Sequence, residues 1–285
     1  MKKAIILLLL SASIQCCVAQ QLLYPDYFLV YTNTPYLNDP SYIPETGKFN
    51  LNFSYKARRV SSDISTIVFS AEKIFRNDKG SNHLIRAIAF NEKEGPYISY
   101  PRGYLNYARS ILLGKNISLY SGLSLGIAGV NFTLPSGGGS ARFADGSIGV
   151  GIRIKSLRIG ISSLQIFNSH GQAISQSLQL MRHFALSAEG AIKLNESYLL
   201  KYNTLIKFLP TIPDHYHAGL GISYQKIVET GLHYNHFRGI TGFIAIQFFP
   251  NINPLYLNFG YTSAIFNKAG NYQEAYEISI RYSIN

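Results

Sequence analysis

The sequence has no tryptophan, two cysteines, and charged residues at only 14% of positions. Both cysteines, Cys16 and Cys17, lie in the N-terminal segment that we expect to be removed, so the mature chain should have no disulfide and no cysteine-ligated metal. Beyond that segment no apolar run approaches the roughly 20 residues of a spanning helix, which argues against a helical membrane protein. The charge is also low for a soluble domain, where about 25% is typical.

The N-terminus has the layout of a secretory signal peptide. Residues 1–19 contain a short basic start, an apolar run and small residues before an expected cleavage after Ala19. Lipid attachment at Cys16 is an alternative, although the residue before it, Gln15, is larger than such signals prefer. Loss of this segment leaves 24 basic and 15 acidic residues, a net charge of +9. The surplus favours an anionic partner or surface.

A period-two alternation of apolar and polar residues recurs along the chain and indicates β-strands. One strand with this pattern fits a soluble sandwich as well as a membrane barrel. The number and length of the runs favour the barrel, because residues 198–208 reach the roughly 9–11 residues of a tilted spanning strand. Tyrosines at both ends of one apolar band, Tyr216 and Tyr224, are typical of an aromatic girdle. In the last strand the apolar face consists of Tyr276, Ile278, Ile280, Tyr282 and Ile284.

Turn signals divide residues 48–285 into about fourteen strands, an even number that allows antiparallel closure. We therefore predict an all-β fold, a transmembrane antiparallel β-barrel formed by one domain. The predicted connections have similar lengths at both ends, so they do not indicate which end faces outside. The predicted strands are 48–56, 63–73, 83–91, 102–111, 117–129, 145–154, 156–163, 178–191, 198–208, 215–225, 227–236, 241–249, 255–263 and 274–284.

Residues 20–47 have no sustained period and contain scattered Tyr, Pro, Asn and Asp. Irregular backbone cannot face lipid with its polar groups unsatisfied. We expect this segment to lie in the lumen as a plug, or on the periplasmic rim.

A short Tyr-rich approach is followed by Asn-Asp-Pro-Ser-Tyr and then by Gly-rich hairpins. These segments are Tyr24–Tyr31, Asn38–Tyr42, Gly103–Ala108, Ile117–Gly126, Asp145–Gly151 and Leu157–Ser162. With them the sequence resembles the PorP/SprF family of outer-membrane proteins of the type IX secretion system of Bacteroidetes, whose Asn-Pro-Ala-Tyr-type motif is similar to Asn38–Tyr42. An inserted aspartate and the absence of tryptophan distinguish this chain from the family pattern.

The resemblance implies a non-enzymatic role in the cell outer membrane, in secretion and possibly gliding. The implied partners are a secreted surface protein or adhesin with a C-terminal targeting domain, other type IX secretion components and outer-membrane lipids. We expect no nucleic-acid partner, because an exported barrel meets no genome. The basic positions could instead line a wet interior or bind anionic headgroups. The candidate partner-binding residues are Asn38, Asp39, Pro40, Tyr42, Arg58, Arg59, Arg153 and Arg158.

Other functions remain open at this point. Basic lumen residues would make an open barrel an anion-preferring channel or small-molecule transporter. A lipid hydrolase would need a Ser, a His and an orienting group held together, and no spacing fixes such a set. His215, His217 and His233 fall on one predicted lumen face and could bind a metal or simply form a polar lining. We expect neither a metal nor a cofactor. Gly137–Gly139 is interpreted as a flexible hairpin tip.

Overall fold

The computed structural model describes residues 21–22, 29–58, 64–77, 81–135, 137–174, 176–210, 213–236, 239–250, 252–263 and 274–284. The predicted signal peptide, its cleavage after Ala19, the cysteines and Arg59 lie outside these residues. No helix in the described part of the chain is long and apolar enough to cross a bilayer.

The described chain consists of β-strands and two short 3-10 turns. The turns are Tyr31–Asn33 and Pro35–Leu37. The strands are β1 (Gln21–Leu22), β2 (Phe49–Arg58), β3 (Ile64–Arg76), β4 (Asn82–Glu94), β5 (Ile98–Gly114), β6 (Ile117–Leu134), β7 (Gly137–Ile154), β8 (Leu157–Leu164), β9 (His170–Ala173), β10 (Gln176–Gln179), β11 (His183–Lys193), β12 (Tyr198–Phe208), β13 (His215–Tyr224), β14 (Val228–Asn235), β15 (Gly239–Phe248), β16 (Leu255–Thr262) and β17 (Ala275–Ile284).

Fourteen of these strands, β2–β8 and β11–β17, form a closed barrel in which each strand is antiparallel to its neighbours. The last strand closes the barrel by pairing with the first, with Ile280 opposite Phe53. This confirms the predicted fourteen-stranded antiparallel barrel. The three remaining strands form a small separate sheet in the order β1–β10–β9, which we call the cap sheet.

The period-two pattern separates a lipid-facing surface from a polar lumen. In β17, Ile278 and Ile280 point outward and are 37% and 39% exposed, whereas Glu277 and Ser279 point inward and are buried. On β13 the outward-facing Tyr216 and Tyr224 lie at the two ends of the strand. The eight-residue separation corresponds to about 26 Å along the strand. A tilted strand of this length spans most of the roughly 25 Å apolar band of a membrane barrel.

A charge placed in the middle of this surface should oppose membrane insertion. Leu220 is 55% exposed and lies midway between the two tyrosines of β13. We expect Leu220→Lys to reduce the free energy of folding into vesicles by about 2–4 kcal/mol, and Tyr224→Lys, near the interface, by about 0–1 kcal/mol. Denaturant titration of the vesicle-inserted barrel measures both values. Equal effects at the two positions would contradict a lipid-facing band.

The two ends of the barrel differ. One end, which we call the turn end, contains the start of the first barrel strand at Phe49 and the end of the last at Ile284. Its connections are short and include Lys115-Asn116 and Lys155-Ser156. At the other, the loop end, the longest connections occur, between Leu164 and His183 and between Thr262 and Ala275. The sequence analysis did not predict this asymmetry.

The β6–β7 hairpin and the cap sheet account for the main departures from the predicted strands. The prediction of one strand over 178–191 was wrong, because β10 pairs with β9 in the cap sheet and β11 begins separately at His183. The interpretation of Gly137–Gly139 as a flexible tip was also wrong. These glycines begin β7 and pair with residues 132–134 of β6. A Cβ at Gly139 would meet the side chain of Ile174 at 2.6 Å, so the glycine permits a close approach of the cap.

The cap covers the lumen side of the extended hairpin at the loop end. Ser169 Oγ donates to the carbonyl of Ala144 at 2.6 Å, and the amide of Ile166 donates to the carbonyl of Gly146 at 2.9 Å. Burial of apolar side chains from both elements stabilises this contact. We call the connection between β8 and β11 that carries β9 and β10 the cap segment. The shared cluster contains Tyr100, Ala128, Val130, Ala141 and Phe143 of the wall and Ala173, Leu178 and Leu180 of the cap segment.

Candidate functional site: the plugged lumen

Residues 29–47 occupy the lumen, and we call them the plug. The plug begins near the loop end, where Leu29 and Val30 lie beside Glu277, and it reaches the turn end at Gly47. There the amide of Lys48 donates to the carbonyl of Ile284 at 2.7 Å, which leads the chain into β2. The plug therefore crosses the lumen once along its length.

Glu277 of β17 binds the beginning of the plug. Its carboxylate accepts hydrogen bonds from the backbone amides of Leu29 at 2.5 Å and Val30 at 3.1 Å, and from Asn33 Nδ2 at 2.8 Å. Glu277 is fully buried, so these three donors replace the water that the carboxylate loses. A buried carboxylate with several donors holds a chain segment in one position.

A buried ion pair binds the middle of the plug. Asp39 Oδ2 accepts from Arg158 of β8 at 2.7 Å, and both side chains are 2% exposed. The second carboxylate oxygen accepts from the amide of Ser41 at 2.9 Å and from its hydroxyl at 2.6 Å. The Arg158 guanidinium also lies between the rings of Tyr42 and Tyr120, 5.2 and 5.3 Å from their centroids. The two charges are therefore paired within the protein, with Arg158 Nε left as the one donor of this guanidinium that is buried without a partner among the described residues.

Glycines on the lumen face of the wall make room for this part of the plug. A Cβ at Gly122 of β6 would overlap the carbonyl of Pro40, and one at Gly160 of β8 would overlap the Asp39 carboxylate. A Cβ at Gly149 of β7 would lie 3.0 Å from both Asp39 and Pro40. Three neighbouring strands thus carry a glycine where the plug touches the wall, which allows backbone contact that any side chain would prevent.

A second buried network joins the plug to the adjoining strands β3, β4 and β5. Arg86 Nε donates to Glu72 at 2.5 Å, and its other nitrogens donate to Asn106 Oδ1 at 2.8 Å and to the carbonyl of Tyr42 at 3.1 Å. The guanidinium stacks 4.4 Å above the ring of Tyr36. Burial raises the pKa of Tyr36 to about 12, so this ring is neutral at physiological pH.

At the turn end the plug is held by exposed contacts. Arg153 forms an ion pair with Glu45, and Arg76 donates to the carbonyls of Glu45 at 2.7 Å and Gly47 at 3.2 Å. The side chain of Glu45 is 72% exposed, so solvent screens its attraction to Arg153 and the ion pair contributes little to stability. The buried contacts above contribute more to holding the plug.

The structure brings together six of the eight residues predicted to bind a partner. Asn38, Asp39, Pro40 and Tyr42 in the plug lie beside Arg158, and Arg153 contacts the plug nearby at Glu45. Arg58 is half-buried at the loop end of β2, opposite Ala275, and Arg59 lies outside the described residues. Asn38, Asp39 and Arg158 are at most 2% exposed, so a partner cannot reach them while the plug stays in place.

The sequence reading missed the residues that complete these contacts. Glu72, Arg86 and Glu277 are charged residues inside strands, which is a usable signal. Glu72 and Arg86 lie opposite each other on β3 and β4, whereas the partners of Glu277 are nearly the whole chain away in sequence. Asn106 is another missed residue, since its side-chain amide donates to the carbonyl of Pro40 at 2.9 Å.

The three histidines considered as metal ligands belong to a polar lining. His215 and His217 have ring centroids 4.6 Å apart, and Asn235 contacts a nitrogen of each ring at 3.0 Å. The ring of His233 packs on Phe243 instead. No group of three or more His, Cys, Asp or Glu side chains in the described ranges is placed to hold a metal ion.

A cavity of about 40 Å³ lies between the plug and the wall. Its lining is half apolar or aromatic and half polar, with Tyr104 donating to Asp145 at 2.6 Å across one side. The volume is enough for a few water molecules and not for a drug-sized ligand. The residues that line it include Tyr36, Leu37, Ile88, Phe90, Arg102, Tyr104, Asp145 and Leu164.

The closed antiparallel barrel, its lipid-facing surface and its filled lumen define a plugged outer-membrane β-barrel. The model of the type IX secretion system membrane protein PorP/SprF family matches residues 19–282. The chain belongs to this family, as its sequence motifs predicted. A comparison with curated proteins finds no match.

Solved structures with the same fold are diverged in sequence. The CymD monoaromatic hydrocarbon channel has a TM-score of 0.59 at 12% identity, covering 91% of this chain and 94% of that one. The toluene transporter TbuX of Ralstonia pickettii has a TM-score of 0.58 at 11% identity, covering 87% and 93%. At these identities the similarity establishes the fold alone.

Proposed function

We propose that this chain is a non-enzymatic component of the type IX secretion machinery that helps to export or anchor a large surface protein. The expected partner is a secreted protein or adhesin with a C-terminal targeting domain, and the role extends to gliding where that adhesin drives movement. Membership of the PorP/SprF family supports the assignment to the type IX secretion machinery. The filled lumen supports a docking mechanism. Because buried ion pairs occupy the interior of the barrel, a partner can bind to its surface but cannot pass through it.

We place the turn end in the periplasm and the loop end outside. Bacterial barrels have short periplasmic turns and longer outer loops. The start of β2 and the end of β17 both lie at the turn end, and the two longest connections, after Leu164 and after Thr262, leave from the other. The cap sheet and the extended β6–β7 hairpin would then face the surface protein.

The loop end offers exposed apolar and charged side chains for such a partner. Phe167 and Ile174 of the cap segment are 50% and 43% exposed, and Arg142 is exposed on the neighbouring hairpin. Direct contact between the partner and the Asn38–Tyr42 segment stays a prediction, and it requires the plug to move. With the plug in place, that segment acts by keeping the lumen closed.

A small-molecule channel is the second candidate. The solved structures of similar fold include proteins described as hydrocarbon channels, and the cavity beside the plug has apolar side chains, among them Ile88 and Phe90, in part of its lining. Movement of the plug would enlarge this cavity into a path along the wall. Basic lumen residues would then favour anions.

Site-specific crosslinking in native outer membranes tests the proposal. A photoreactive residue replaces Phe167 or Ile174 at the loop end, or Ile252 as a control, which is 72% exposed at the turn end. We expect a large exported protein to be crosslinked from the two loop-end positions and not from position 252. Recovery of the uncrosslinked barrel alone, together with single-channel current from the purified protein, would favour the channel. Crosslinks to the exported protein from a photoreactive residue within residues 38–42 would show that the plug leaves the lumen.

A further inference from the structure

The turn end of the barrel carries a ring of lysines that the secretion role does not explain. The five lysines that form this ring are all exposed and lie at strand starts, strand ends or turns spread around the circumference. None of them takes part in an ion pair within the described part of the chain. We call this set the lysine ring, and its members are Lys48, Lys115, Lys155, Lys193 and Lys226.

The ring lysines lie where the lipid-facing surface ends. Lys193 is the last residue of β11 and follows Ile192, which is 50% exposed on the lipid-facing side. Lys226 lies in the turn two residues after Tyr224, which is 43% exposed and packs against Tyr198 at 5.1 Å between centroids. A lysine at such an edge reaches the level of the lipid headgroups with its flexible stem.

Negative charge at this end is sparse. In the described part of the turn end the exposed carboxylates are those of Glu45 and Glu196, and Glu45 is paired with Arg153. The connection without a lysine, between β15 and β16, presents Phe249 and Ile252, which are 67% and 72% exposed and suited to insertion among acyl chains. The end as a whole combines positive charge with apolar side chains.

We propose that the lysine ring binds the headgroups of anionic phospholipids in the leaflet that meets the turn end. An acidic protein would be recognised by a patch on one side, whereas this charge surrounds the barrel and follows the edge of the lipid-facing band. Clustered lysines next to a membrane surface attract anionic lipid, and the attraction decreases with ionic strength. The inference concerns lipid and does not depend on the proposed secretion partner.

Lipid binding by the purified full-length barrel tests this. The variant K115Q/K155Q/K226Q removes three charges from the ring, and K93Q/R142Q/R182Q removes three from the loop end as a matched control. Native mass spectrometry of delipidated protein measures retention of added phosphatidylglycerol and phosphatidylcholine. We expect wild type and control to prefer phosphatidylglycerol, and the ring variant to bind it about tenfold more weakly. Heat-modifiable gel migration verifies that all three barrels are folded.

Three results would overturn the proposal. Wild type without a preference for phosphatidylglycerol would show that the ring does not bind lipid. An equal loss in the control variant would show that only total charge matters. If the ring variant kept its lipids but lost an acidic periplasmic protein from co-purification, the ring would be a protein-binding surface.

Discussion

Replacing Arg158 with methionine is expected to release the plug and to lower the free energy of unfolding by about 3–5 kcal/mol, because Asp39 is left as an unpaired buried charge. The two side chains are 2% exposed, so water cannot compensate for the lost partner. Denaturant titration of the folded barrel measures the stability. Planar-bilayer recording measures the second effect, single-channel current that wild type should lack.

A matched control is Lys201→Met, which breaks the Lys201–Glu229 ion pair. That pair has a similar separation, 2.5 Å, but its side chains are 42% and 23% exposed. Its loss should cost at most about 1 kcal/mol and should not change conductance. The double variant D39N/R158M removes both charges and should recover much of the lost stability. If Arg158→Met is as stable as Lys201→Met and shows no single-channel current, the ion pair does not hold the plug.

Gly122→Ala should displace the plug from the wall, since the new methyl group would overlap the backbone carbonyl of Pro40. A backbone atom held by further contacts cannot rotate away, and the Pro40 carbonyl also accepts from Asn106. Overpacking of this kind costs about 1–3 kcal/mol. We expect a loss of that size in denaturant titration, together with faster proteolysis within residues 29–47.

The glycines of this barrel supply a graded series for that experiment. At Gly103, on the neighbouring strand β5, an added Cβ would meet nothing closer than 4.0 Å, so Gly103→Ala should be nearly neutral. At Gly149 the nearest plug atoms would be 3.0 Å away, and an intermediate effect is expected. The same cost at all three positions would mean that contact with the plug is not why glycine occurs at position 122.

The sequence predicted the barrel wherever the two strand faces differ in polarity. In β12, β13 and β17 one face meets lipid and the other meets polar groups, so the alternation was plain. Segments 63–73, 83–91 and 102–111 alternate poorly, and the structure gives a reason for the first two. Their inward-facing Val68, Ile88 and Phe90 pack with Tyr36 of the plug, so both faces of the wall are apolar there. A plug that buries apolar surface weakens the signal of the strands around it.

The sequence predicted that the plug would be irregular backbone, but it did not predict which wall residues the plug contacts. Asp39 and Arg158 were both singled out, yet they are 119 positions apart and meet only because the barrel closes. The strand pattern also does not reveal which inward-facing glycines another chain segment touches. Long-range pairing in a closed sheet is determined by register, which one sequence does not supply.

The contact between Glu277 and the start of the plug has a consequence for assembly. Glu277 lies on β17, the strand that closes the barrel by pairing with β2, and it binds Leu29 and Val30 from the other end of the chain. Because the last strand carries this carboxylate, the seam can form its full set of contacts only around a segment that is already inside. A barrel that closed without this segment would leave the Glu277 carboxylate without the amides of Leu29 and Val30, so filling the lumen and completing the contacts of the last strand are coupled.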